Sequence, residues 1–425
     1  MKFGGASLQN AERIRRVAAI IQQWSSEPLV IVISAIGKTT NLLDQIGRMA
    51  AQGEEEKIEL LLDNLYSQHY KILEELSLQG EEFLVKEFNA LITFARKTAE
   101  GILALQEYSL RQYARLVAIG ELLSSKIVAA YLKQIGIDAQ WVDIRNYLKT
   151  DDNYREARIL FHETALRIQK NFFPLCAQYS LILTQGFLGS TLDNQTTTLG
   201  REGSDYTAAI LASLLKAQEV ILWKDVPGIM NCDPARYGGA FLLNELSYEE
   251  AAQMTFWGAK VIHPKTIAPL AQLSIPLQVR SFLTPQAPGT IIQKSSSLQQ
   301  EILLYRQGQV MLSISYKGAQ FMDTVTIKHI FDALVNSDLP IYSLQLEGLC
   351  LFIITEGSEA QLNHLKGLLD ENLDCQIEKG FTLYSQLGGK NNFPPCGQDF
   401  VFMQKYSNHL RWVVKEDKGM MALEN

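Results

Sequence analysis

The sequence predicts an α/β protein, a mainly parallel sheet with helices on both sides, followed by a smaller ferredoxin-like unit. Three observations predict it. Short β-branched runs such as PLVIVI (28–33) and VILW (220–223) are apolar throughout, as strands buried on both faces of a parallel sheet are. Between them lie long stretches with leucines every three or four residues, the spacing of helices that cover such a sheet. Beyond residue 300 the pattern becomes β-α-β-β-α-β: QVMLSISY, a helix near Val325–Ser337, PIYSLQLEG, LCLFIITEG, SEAQLNHLKGLLDEN and CQIEKGF.

Taken in order, residues 2–7 read KFGGAS and precede an amphipathic helix from about Asn10 to Trp24. A Gly-Gly turn before a helix lets main-chain N–H groups cradle phosphate, with Lys2 as a point charge; the lysine precedes the glycines, so this is no Walker A loop. The strand at 28–33 ends at Ser34, and the loop through Thr40 lies at a strand's carboxyl end, where open α/β sheets bind ligands. Turn and cap chemistry is the plainer account of those hydroxyls. From Leu42 to Gly136 the pattern is helical and charged, and EEEKIELLLDNLY with EEFLVKEFNALITFARKTAE suggests a helical hairpin or lid over the sheet. DAQWVD, a helix around Arg155–Lys170, and SLILTQGFLGS with Gly186 and Gly189 at its end follow.

The stretch LGREGSDYTAA (199–209) then joins a threonine-rich loop to an apolar helix. Gly200 and Gly203 allow close backbone approach, while Ser204, Asp205 and Thr207 stand where the helix begins. Such a helix start suits an anion, which Arg201 could grip in two-pronged fashion; an ordinary capped helix with a surface arginine is the alternative. The next strand ends in KDVPGI, with Lys224, Asp225, Pro227 and Gly228, and residues 276–297 read as a linker.

Composition bounds the function. A chain of 425 residues exceeds one hydrophobic core, so two or three domains are expected. With 47% hydrophobic and 20% charged residues it fits a large soluble enzyme. A net charge of −7 argues against nucleic-acid and anionic-membrane partners, so an anionic substrate needs local cations. Five cysteines without a CxxC pair predict free thiols and neither disulfides nor a zinc site. No signal-peptide layout and no bilayer-length apolar run is present, which gives a cytoplasmic expectation.

KFGG, SAIGKTTNLLD (34–44), IGELLSSKI (119–127), GREGSDYTAA (200–209), KDVPGI (224–229) and WGAKVIHP (257–264) are six motifs in the order seen in aspartokinases. Over roughly residues 2–290 the chain resembles that branch of the amino-acid kinase superfamily. The resemblance implies the amino-acid kinase fold, a three-layer αβα arrangement, as a catalytic domain at 1–295. It implies an ACT-like regulatory or dimerisation domain at 300–390, with 391–425 a truncated second ACT-like unit or tail. The implied activity is ATP-dependent phosphorylation of the L-aspartate side-chain carboxylate to 4-phospho-L-aspartate, the first step toward lysine, threonine and methionine, with Mg²⁺ on the ATP. Another small carboxylate as substrate, or a weak amino-acid sensor of the same fold, are the alternatives.

Carried over by motif, Lys2 and Asp205 are the catalytic residues. Ser34, Thr40, Glu121, Arg201 and Ser204 hold aspartate, with Arg201 on the α-carboxylate and Glu121 on the ammonium. Lys2, Gly4, Gly5, Ser7, Lys224, Asp225, Met230, Arg236 and Lys260 border the nucleotide, and the protein supplies no metal ligand of its own. An aspartate β-carboxylate, with a pKa of about 3.9, is already ionised at neutral pH, so no general base is required and His263 is assigned to a packed turn. The chain departs from the family at four places. Only Met1 stands before KFGG where relatives have a longer first strand, which leaves a late-assigned start or a shortened sheet edge. Ala6 replaces a threonine. In Asp233-Pro234-Ala235-Arg236 the cation is displaced by one residue, and Met230 stands where tyrosine is frequent. In the ACT-like part Tyr342 takes the place of an aspartate that serves an effector's ammonium, so the resemblance implies a homodimer with a weak lysine or threonine effector.

Overall fold

The computed structural model describes residues 1–24, 27–235, 238–259, 262–295, 301–388, 400–406 and 409–415. The chain forms two compact units: Met1–Ile229 with Leu242–Ala252 and Val261–Ser297, and Met230–Phe241 with Gln253–Lys260 and Leu298–Asn425.

The apolar runs of the first unit assemble a sheet of eight strands. From one edge the order is Glu245–Ser247, Thr290–Gln293, Leu277–Ser281, Val220–Lys224, Lys2–Phe3, Leu29–Ile33, Leu181–Gln185 and Gln140–Val142. Pairing is parallel from Leu277–Ser281 to Gln140–Val142, and Thr290–Gln293 turns the direction by pairing antiparallel with Leu277–Ser281. The strand of Lys2 is two residues long, yet it lies inside the sheet and not at an edge: Lys2 is in register with Val32 on one side and Leu222 on the other. Phe3 is fully buried there and stacks on Trp223, with ring centroids 6.0 Å apart.

Helix Ala11–Trp24 turns Ile14, Val17, Ala18 and Ile21 inward, as its spacing requires. The charged helices Glu55–Glu75 and Glu82–Leu105 pack chiefly on helices Thr39–Ala51 and Leu110–Gln134, so the hairpin covers helices and not the sheet itself. Residues 155–160 are extended where the sequence suggested helix. Exposed Glu156 and Arg158 alternate with buried Ala157 and Ile159, a period of two, and Glu156 and Ile159 bridge Leu199 and Thr150; the helix begins at Phe161.

In the second unit the order Ile302–Tyr316, helix Thr324–Asn336, Ser343–Glu347, Cys350–Thr355, helix Glu359–Leu368 and Leu373–Leu387 is β-α-β-β-α-β. The strands pair antiparallel, with Ile302–Tyr316 between Cys350–Thr355 and Leu373–Leu387, which is the ferredoxin-like arrangement. Leu312, Ile314, Ile330, Leu334, Ile353 and Leu365 form its core. Asp323 caps the first helix and a Ser358–Gln361 capping box starts the second. Phe400–Tyr406 and His409–Lys415 extend the sheet beside Leu373–Leu387. Among the described residues no helix is long and apolar enough to cross a membrane.

Candidate active site

The carboxyl ends of the central strands open on a cavity of about 490 Å³, entirely within the first unit. Lys2 and Lys224 border it from two adjacent strands, Ser34 from the end of a third, Thr40 and Glu121 from two helices, Arg201 from the loop before helix Gly203–Leu215, and Ser204 and Asp205 from the start of that helix. Two glycines make the approach feasible. A Cβ on Gly5 would lie 2.7 Å from the Gly37 carbonyl and 2.8 Å from that of Ala35; one on Gly186 would lie 2.5 Å from Ser204 Cβ. Both are below van der Waals contact, so only glycine lets these loops close around the cavity.

One carboxylate organises the cationic end. Lys2 Nζ lies 2.6 Å from Asp205 Oδ1, and Lys224 Nζ donates to Asp205 Oδ2 at 2.9 Å. Asp205 is buried, which alone would raise its pKa, but the two ammonium groups outweigh burial and bring it down to about 2. Lys224 is desolvated too, and Asp205 more than offsets that, holding its pKa above the usual lysine value. Two cations on one carboxylate leave a net positive end that can accept an anion.

The opposite requirement is written in Glu121. It is 3% exposed, Thr40 Oγ1 donates to its Oε1 at 3.5 Å, and its buried Oε2 has no hydrogen-bond partner. Burial pushes its pKa up to about 8, against the lowering by hydrogen bonds from the Ala35 backbone and Thr40 and by the charge of Lys2. An unpaired carboxyl oxygen in such a place is satisfied by a cationic donor. Arg201 is exposed on the loop before the helix, where Gly200 (φ 69°) and Glu202 (φ 53°) are both left-handed. The cavity thus offers a cationic end, a carboxyl group and a guanidinium, the complement of an amino acid beside a phosphate chain.

The other expected residues lie elsewhere. Ser7 is buried and its hydroxyl donates to the Gly4 carbonyl at 2.6 Å, so it is not among the lining residues; Gly4 sits beside Lys2 and likewise does not line the cavity. Asp225 is exposed outside it. Met230 ends the short strand Ile229–Met230 and belongs to the second unit, and Arg236 and Lys260 lie outside the described residues. His263 caps helix Pro264–Leu273, its Nδ1 accepting from the Lys265 N–H at 3.3 Å, as expected of a packed turn. Among the described residues no group of three or more His, Cys, Asp or Glu side chains is placed to hold a metal ion, and Cys176, Cys232, Cys350 and Cys375 are free.

Arg155, Tyr113 and Phe187 also line the cavity, and the sequence did not point to them. The Arg155 guanidinium sits 4.9 Å over the Tyr113 ring. Tyr113 precedes Glu121 by eight residues, two helical turns on one face, which was an available signal. Arg155 had none, because its segment read as helix.

Comparison with known proteins agrees with this geometry. The profile of the amino acid kinase family matches residues 1–281. Aspartokinase 1, chloroplastic, of Arabidopsis thaliana is 34% identical over 325 residues, covering 74% of this chain and 56% of the relative, so the chain spans little more than half of that protein. Two crystal structures of E. coli aspartokinase III are each 26% identical, covering 97% of this chain and 95% of theirs. The complex with aspartate and ADP (R-state) has a TM-score of 0.84, and that with lysine and aspartate (T-state) 0.79. The chain belongs to the amino acid kinase family and resembles its aspartokinase members.

Proposed function

We propose that the protein transfers the γ-phosphoryl group of ATP to the side-chain carboxylate of L-aspartate, giving 4-phospho-L-aspartate and ADP. The observation that carries this reading is the pairing of an unsatisfied Glu121 oxygen with the Lys2–Asp205–Lys224 cluster in one cavity. Glu121 receives the substrate ammonium and Arg201 its α-carboxylate, with Ser34, Thr40 and Ser204 as hydroxyl contacts. A β-carboxylate oxygen then attacks the γ-phosphorus while the bond to the β–γ bridging oxygen breaks, and no proton needs removal. The obstacle is charge repulsion, which Lys2, Lys224 and the backbone of the glycine turn at Gly5 reduce; Asp205 holds both lysines in place. Mg²⁺ belongs to the nucleotide substrate in this reading, where it neutralises phosphate charge. Asp225, Met230, Arg236 and Lys260 are proposed to border the nucleotide.

The ATP- and aspartate-dependent formation of an acyl phosphate, trapped as hydroxamate, tests the reading. Product from glutamate in place of aspartate favours another carboxylate as substrate, and no product favours a sensor. We assign catalysis to residues 1–295 and regulation or dimerisation to an ACT-like 300–390, with 391–425 as a truncated second ACT-like unit or tail, in a cytoplasmic, reducing setting. Lysine or threonine is proposed as a weak effector. Where an effector's ammonium would need a free carboxylate, Tyr342 Oη donates to Glu356 Oε1 at 2.6 Å and the Arg306 guanidinium sits 4.0 Å over the Tyr342 ring.

A further inference from the structure

The loop that carries Arg201 is held by a distant stretch of chain. Lys265, in the first turn of helix Pro264–Leu273, donates from Nζ to the Leu199 carbonyl at 2.7 Å and stands 5.7 Å from the Tyr206 ring centroid. Leu199 is 2% exposed, and its own N–H donates to the Phe187 carbonyl at 2.9 Å. Its peptide groups are therefore fixed on both sides just before the chain turns. Beyond it the backbone is left-handed at Gly200 and at Glu202, and the Gly203 N–H closes the turn on the Gly200 carbonyl at 3.0 Å. A left-handed glutamate is disfavoured, so this turn persists only where its surroundings impose it. His263 fixes the helix start on which Lys265 stands.

We propose that Lys265 is a positioning residue: by holding the Leu199 carbonyl it sets where the Arg201 guanidinium meets the substrate carboxylate. The ammonium is half-buried and spends its short bond on a neutral carbonyl, although Glu156 and Glu202 are close enough to act on its charge. Charge-assisted bonds of this kind are about twice as strong as neutral ones. Arg201 follows the anchored residue by two positions, so movement at Leu199 passes directly to it. A shift of about 1 Å in a positioning group can cost up to about 10²-fold in rate. The residues joined here, Leu199 of LGREGSD and Lys265 of WGAKVIHPK, are 66 positions apart in sequence, and the link falls on the lysine just after the family motif.

The inference rests on the reading of Arg201 as the carboxylate ligand, and the test separates the two. The full chain, Lys265→Met and Lys265→Arg are compared for aspartate KM, ATP KM and kcat, together with amide hydrogen exchange at residues 199–204 in the free proteins. Lys265→Met should raise the aspartate KM about tenfold, in line with a lost charge-assisted bond, and leave the ATP KM within about twofold. Exchange at 199–204 should quicken, exchange at residues 2–6 should not, and Lys265→Arg should recover most of both effects. Lys265→Gln serves the same comparison if the methionine variant does not fold. An unchanged aspartate KM, an equal rise in both constants, or unaltered exchange overturns the proposal. If the unmutated chain forms no acyl phosphate from aspartate, the substrate reading fails, and exchange alone then decides whether Lys265 pins the loop.

Discussion

At the scale of single residues, Lys2, Arg201 and Glu121 carry distinguishable consequences. In the proposed reaction Lys2→Ala removes a cation facing developing phosphoryl charge, and turnover should fall by about 10²-fold or more while ATP still binds in part, as steady-state kinetics and nucleotide titration would show. Arg201→Ala should raise the aspartate KM far more than the ATP KM, since loss of a hydrogen bond to a charged group costs about 1.5–3 kcal/mol; equal rises would assign the arginine to the nucleotide or the fold. Glu121 introduces pH. Its carboxyl, with pKa raised to about 8, is protonated in the free protein at neutral pH and must ionise to pair with an ammonium. The aspartate KM should therefore fall roughly tenfold from pH 7 to 8.5 as the ionised fraction grows, and Glu121→Gln should flatten that slope. Folding stability carries the opposite sign: the folded chain holds this proton more tightly than the unfolded chain does, so Glu121 makes stability decline as pH rises from about 4.5 to about 8.

At the scale of elements, the cavity depends on loops that touch backbone to backbone. Gly5→Ala would set a methyl group 2.7 Å from the Gly37 carbonyl, and overpacking of this kind costs about 1–3 kcal/mol, so the urea midpoint should drop measurably with an unchanged slope. Many strands and helices were legible because buried runs and helical spacing are local signals: Leu29–Ile33, Ala11–Trp24 and Val220–Lys224 fall within a residue or two of where the apolar pattern puts them, whereas Leu277–Ser281 and Thr290–Gln293 are sheet strands inside the proline-punctuated stretch that read as a linker. What the sequence hid is nonlocal. The place of Lys2–Phe3 inside the sheet depends on partners at Val32 and Leu222, and the extended segment at 155–160 on its bridge to Leu199. Motifs pointed to Glu121 and Arg201 as residues, but the orphaned Oε2 and the two-lysine grip on Asp205 exist only in three dimensions.

At the scale of the whole molecule, regulation is the property to test. At the position proposed for an effector's ammonium, the Glu356 carboxylate already accepts from Tyr342, and the Arg306 guanidinium stands over the Tyr342 ring. The loss of a charge-assisted bond to that ammonium, about 1.5–3 kcal/mol, weakens binding tenfold or more. Lysine or threonine at ordinary cellular levels should accordingly inhibit the hydroxamate reaction only slightly; strong inhibition at submillimolar concentration would show an effector site that does not depend on this position. Light scattering on the full chain should return about twice 47.8 kDa if the second unit supports a dimer.

The second unit is not one continuous ribbon, since it recruits 230–241 and 253–260 from amid the sequence of the first. Phe256 meets Tyr342, and Trp257 lies against His409 beneath the Arg411 guanidinium. For evolution this is a lock against shuffling: a recombination event that exchanged everything after residue 298 would strand those aromatic side chains without the rings and the guanidinium they pack on. Such a cassette could be replaced only together with residues 253–260, so the history of the second unit is tied to that of the stretch in which those residues are embedded.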